Sequence, residues 1–92
     1  MNETLEKSKE VQQRDRIAAI LQLLVQEISC CEQTVNIRYS VGKQTTMYMI
    51  DMPPESKARI IGQGGRNINS IRNLVGAMGG ARGFRAIVDL VI

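Results

Sequence analysis

The residues of this 92-residue chain best suited to chemistry are the glycines Gly62, Gly64 and Gly65 and the cations around them, Lys57, Arg59 and Arg66. In the run Ile60-Ile61-Gly62-Gln63-Gly64-Gly65-Arg66-Asn67-Ile68, a glycine turn separates two apolar-patterned segments. Glycine lets a backbone turn sharply and lets another chain approach closely, because no Cβ intervenes. If a helix starts at Arg66, its first N–H groups and its dipole favour an anion, and the neighbouring cations can pair with phosphates. The chemistry this pattern suits is the holding of a sugar-phosphate chain.

Other chemistries lack residues. The chain has no histidine, and Asp51, Glu55 and Asp89 recur in no pattern that would supply an acid–base pair. The loop has no glycine or alanine at its sixth position and no following Gly-Lys-Ser/Thr, so it fits neither the dinucleotide nor the P-loop fingerprint. We expect no enzyme and no small-molecule substrate. Cys30 and Cys31 are adjacent and are the only cysteines. Neighbouring cysteines close only a strained ring, and two thiolates alone do not make a zinc site. Free thiols, no metal, no cofactor and a reducing, cytoplasmic setting are expected. The stretch Ile17 to Ile28 is interrupted by Gln22, Gln26 and Glu27 and is too short and polar to span a membrane.

Charge is unevenly spread. Residues 1–33 carry a balance of −2 and residues 34–92 a balance of +5, which suits a polyanionic partner on one face.

The elements that must position the loop follow from periodicity. Ile17, Ile20, Leu21, Leu24, Val25 and Ile28 recur at helical spacing, predicting a helix from about Arg14 to Ser29. The charged residues 1–13 form an extension or the start of that helix, and residues 14–92 a single domain. Val35, Ile37, Tyr39 and Val41 alternate with polar residues, as in a half-buried strand. Gly42-Lys43 is read as a two-residue hairpin turn that pairs Val41 with Gln44, Tyr39 with Thr46, Ile37 with Tyr48 and Val35 with Ile50. Pro53 and Pro54 end the second strand and start a short helix to Ile61. Ile68, Ile71, Val75 and Met78 predict a helix closed at Gly79-Gly80. Phe84 to Ile92 form a final strand, expected inside the sheet because both of its faces are apolar. The order α-β-β-α-α-β gives an α+β fold, a three-stranded sheet with helices packed on one face.

With the helices on either side of it, Ile60-Ile61-Gly62-Gln63-Gly64-Gly65-Arg66-Asn67-Ile68-Asn69-Ser70-Ile71 resembles the signature of the KH domain in its type II arrangement. The segment from Asp15 to Ile92 is similar to the small bacterial single-KH proteins of the KhpA family. The resemblance implies that the Gly-x-x-Gly loop clamps about four single-stranded nucleotides. The site so implied is Lys57, Arg59, Ile60, Ile61, Gly62, Gln63, Gly64, Gly65, Arg66 and Ile68, with the isoleucines offering apolar contact to bases. Family members usually carry lysine or arginine within the loop, where this chain has Gln63 and Gly64, so weak binding with little sequence discrimination is expected. The family also implies roles as an RNA chaperone or regulator, and pairing with a second copy or another KH protein. The helix after the loop, with Asn69, Ser70, Asn73 and Ala77 outside its core stripe, is the alternative protein-docking face.

Overall fold

The computed structural model describes residues 2–30 and 35–91, with side chains from position 9 onward. The expectations for Cys31 and Ile92 lie outside the described residues. The elements are α1 (Asn2–Ser29), β1 (Asn36–Val41), β2 (Thr45–Asp51), α2 (Pro54–Ile61), a single 3-10 turn (Gln63–Gly65), α3 (Arg66–Ala81) and β3 (Arg85–Leu90). The strand order is β1-β2-β3, with β1 antiparallel and β3 parallel to the central β2. The fold is α+β and type II KH-like.

Helix α1 begins well before Arg14. At 1.5 Å per residue, its 28 residues span about 42 Å, which accounts for the 46 Å long axis of a molecule only 24 and 20 Å across. Its anchored part starts at Arg14, as the apolar stripe indicated. Ile17, Leu21 and Val25 are buried with Tyr48, Ile50, Ile60, Ile68, Ile71, Val75, Ala86 and Val88, whereas Lys9 to Gln13 are exposed. Arg14 donates from Nε to Thr46 Oγ1 at 2.9 Å and lies 4.7 Å from the centre of the Phe84 ring. The Tyr48 hydroxyl donates to the Arg14 carbonyl at 3.1 Å and that of Tyr39 to Asp15 Oδ1 at 2.7 Å. Burial, with Tyr39 close by, pushes the Tyr48 hydroxyl up to about 12, so it remains a donor across the neutral range. The three aromatics serve the core and its margin.

Three expectations need correction. The hairpin register differs by two residues: Val41 pairs with Thr46, Tyr39 with Tyr48 and Ile37 with Ile50. Gly42 lacks the positive φ of the expected turn, and its N–H donates to the Thr45 carbonyl at 2.7 Å across a longer connection. Because the strand period is two, this slip leaves every side chain on its expected face.

Helix α3 does not stop at Gly79-Gly80 but runs to Ala81. The stop is Gly83, at φ 87. Phe84 N–H reaches the Gly79 carbonyl at 3.0 Å and Gly83 N–H reaches that of Gly80 at 3.2 Å, the paired bonds of a Schellman ending. Gly79 is glycine for a different reason. A Cβ there would stand 2.6 Å from the Ala86 Cβ and 2.9 Å from the Phe84 carbonyl, so the helix can lie this close to β3 only without a side chain.

Strand β3 is an edge, not an interior strand. Its apolar residues on both faces reflect a sheet whose helix-covered side takes Ala86 and Val88 while the open side takes Ile87. The edge is partly blunted: Arg72 Nε donates to the Val88 carbonyl at 3.3 Å, and Leu90 N–H donates to Asp89 Oδ1 at 3.0 Å.

Replacing Gly79 by valine should force α3 off β3 and cost about 1–3 kcal/mol in urea unfolding, the usual range for overpacking. Gly80→Ala, where a Cβ meets nothing within 4 Å, should leave stability unchanged or raise it slightly by favouring the helix.

Candidate nucleic-acid interface

The loop is built by the way α2 and α3 end and begin. Pro54 opens α2 where its missing N–H goes unneeded, and Ile60 holds the last turn in the core. The chain then leaves the helix at Gly62, whose φ of 76 and ψ of 171 fall in a region essentially reserved for glycine. Gly64 (φ 65, ψ 17) and Gly65 (φ 78, ψ 13) follow, both left-handed, and α3 starts at Arg66. Two helices thus meet at a corner made by three residues of positive φ.

Conformation alone decides Gly64 and Gly65, and at Gly62 space acts as well. A Cβ on Gly62 would lie 2.7 Å from the Asn67 Cγ, because the Asn67 side chain folds back over the loop and donates from Nδ2 to the Arg59 carbonyl at 2.8 Å. Nothing lies within 4 Å of a Cβ on Gly64, so that residue faces open solvent. Asn67 thus ties the start of α3 to the end of α2. Sequence reasoning missed it, since an asparagine at this distance from a glycine run signals a cap no more than a solvated surface.

The remaining site residues divide. Gln63, Arg59 and Arg66 are exposed, Lys57 is half-buried, and Ile61 is 39% exposed beside the turn. Lys57, Arg59 and Ile61 stand on α2, Gln63 in the turn and Arg66 at the start of α3. Ile60 and Ile68 do not offer apolar contact there: they are 0% and 5% exposed and belong to the core that positions the two helices. The expectation of free N–H groups also narrows. Gly65 N–H donates to the Gly62 carbonyl at 3.1 Å and Arg66 N–H to that of Gln63, so these two donors stabilise the turn itself. Arg59 also reaches the Ser29 carbonyl with Nη1 at 3.4 Å, linking the end of α1 to the helix that leads into the loop. Among the described residues there is no group of three or more potential metal ligands, and no helix is long and apolar enough to cross a membrane.

A glycine corner between two short helices, laid over a mixed sheet in the order α-β-β-α-α-β, defines a type II KH-like domain. Residues 14–90 match the family model described as the KhpA/KhpB KH domain, and the chain belongs to that family. No curated protein and no solved structure matches the chain.

Removing the Asn67 clip should leave the fold intact but loosen the corner. Asn67→Ala is expected to lower stability by about 1 kcal/mol, the net value of one hydrogen bond, and to raise hydrogen exchange selectively at Gly62 to Arg66 when followed by NMR.

Proposed function

We propose that the chain binds single-stranded RNA at the Gly62–Gly65 corner, with Lys57, Arg59 and Arg66 drawing the phosphates and Ile61 flanking the bases. The carrying observation is a turn of positive-φ glycines, with Gly64 open to solvent, beside the exposed Arg59 and Arg66 in a member of an RNA-binding domain family. The backbone of such a turn can be approached without meeting a side chain at Gly64. With Gln63 and Gly64 in the loop, attraction rests on three cations. The binding is therefore weak, salt-sensitive and poorly selective, a behaviour suited to an RNA chaperone or post-transcriptional regulator. The exposed Cys30 thiol fits a reducing, cytoplasmic setting. KH domains are non-enzymatic binding modules, and we assign no catalysis.

A second reading is favoured by one feature. Leu74, on the outer side of α3, is 52% exposed next to the exposed Asn73 and Ala77. This small apolar surface suits pairing of α3 with a copy of the chain or with another KH protein, in the loop's vicinity.

The test is a titration of fluorescent single-stranded RNA at several salt concentrations. Three phosphate contacts give a log–log salt slope of about −2. Gln63→Asp/Gly64→Asp should abolish binding while the protein stays folded. Because Gly64 is left-handed, Gly64→Asn serves as the control: asparagine tolerates that conformation and adds no charge, so its affinity should change little. Equal binding by all three proteins would place RNA elsewhere on the surface.

A further inference from the structure

Helix α3 ends much as it begins, at an open glycine beside arginines. Gly83 has φ 87, and a Cβ there would meet nothing within 4 Å, as at Gly64. Arg82 and Arg85 stand on either side of it. At 1.5 Å per residue, the 16 residues of α3 hold the two glycine turns about 24 Å apart.

The hairpin adds a third cation at this end. Arg85 N–H donates to the Gln44 carbonyl at 3.0 Å, which brings the exposed connection Gly42-Lys43-Gln44 alongside the start of β3. Lys43 and Arg85 are exposed and Arg82 is half-buried. Among the described residues none of the three is in an ion pair. Asp89, the first carboxylate along β3, lies about 13 Å beyond Arg85, and Asp15 of α1 accepts from the Tyr39 hydroxyl. Free carbonyls at a helix end repel an anion, but here those of Met78, Gly79 and Gly80 accept from Arg82 Nη1, Phe84 N–H and Gly83 N–H.

We propose that Lys43, Arg82 and Arg85, around the Gly83 turn, form a second contact for the phosphates of an RNA strand held at the Gly62–Gly65 corner. The inference rests on the RNA reading and extends it from the corner to the opposite end of α3. A phosphate chain can approach the backbone at Gly83 without meeting a side chain, and no carboxylate has to be displaced from the cations. A protein partner would need an apolar centre, whereas the exposed large apolar surface of the described hairpin is limited to Val41. By itself the patch is a weak site, because its backbone N–H groups are spent on closing α3. For a strand already bound at the corner, however, the second contact is intramolecular and adds affinity through effective concentration. An RNA of about four nucleotides, which fills only the corner, gains nothing from it. A longer strand does.

The test compares fluorescent single-stranded RNAs of about four nucleotides and of several times that length, each titrated at several salt concentrations. The proteins are the wild type, Lys43→Gln/Arg85→Gln and Arg38→Glu. Neutralising two cations and reversing one lower the net charge equally, so the variants differ only in where the charge is lost. Lys43, Arg85 and Arg38 are exposed and their side chains hold no hydrogen bond among the described residues, so both variants should fold. The wild type should bind the long RNA more tightly, with a log–log salt slope of about −4 against about −2 for the short one, as six phosphate contacts differ from three. Lys43→Gln/Arg85→Gln should weaken the long RNA about tenfold and flatten its slope by about 1.4, leaving the short RNA as it is in Arg38→Glu. Arg38→Glu should change little with either RNA. A long RNA that both variants weaken equally, or that Lys43→Gln/Arg85→Gln binds as the wild type does, overturns the proposal. The corner is read out separately, by loss of the short RNA in Gln63→Asp/Gly64→Asp, so failure of the RNA reading is distinct from failure of the second contact. Binding of neither RNA by the wild type overturns both.

Discussion

The parallel pairing of β2 with β3 is the constraint from which the other features follow. Two parallel neighbours cannot be joined by a tight turn, so the chain must travel back the length of the sheet before re-entering it. Here the return is made by α2 and α3, joined by the three-residue turn Gln63–Gly65. Ile60 and Ile68, on either side of that turn, are both buried, while Gln63 and Gly64 between them are exposed. The glycine turn in this crossover is thereby presented to solvent beside Arg59 and Arg66.

Close approach at the far end of α3 is equally necessary. Gly79 lets the helix settle onto Ala86, which fixes the height of α3 above β3 and with it the position of the loop at the helix's start. Arg14 and Tyr48 do the corresponding work for α1, and Arg59 joins the end of α1 to α2. The glycine corner is thus held by contacts made far from it, at Gly79 and Arg14, and by Arg59, which also belongs to the candidate site.

Much of this is legible in the sequence. The stripe Ile17, Leu21, Val25, the alternation of β1 and β2, the prolines before α2 and the glycine corner all follow from local rules, and together they imply the order of elements. What was hidden depends on tertiary neighbours. Gly79 reads as a helix stop until Ala86 is seen beneath it, and Gly83 fills that role instead. The apolar residues on both faces of β3 read as an interior strand until Ile87 is found on the uncovered side of the sheet. The hairpin register slipped by two because Gly42 does not take the backbone conformation a two-residue turn needs, an error that parity concealed. In the site, Asn67 gave no local signal, and burial removed Ile60 and Ile68 from the surface residues.

The most direct test of the account is a two-dimensional NMR titration of the labelled protein with a short single-stranded RNA. The account requires that the amide shifts concentrate at Gly62 to Arg66 and at Lys57, Arg59 and Ile61, with Arg38, Met49 and Asp89 unmoved. Shifts centred on the sheet or on α1, with the glycine corner silent, would contradict it.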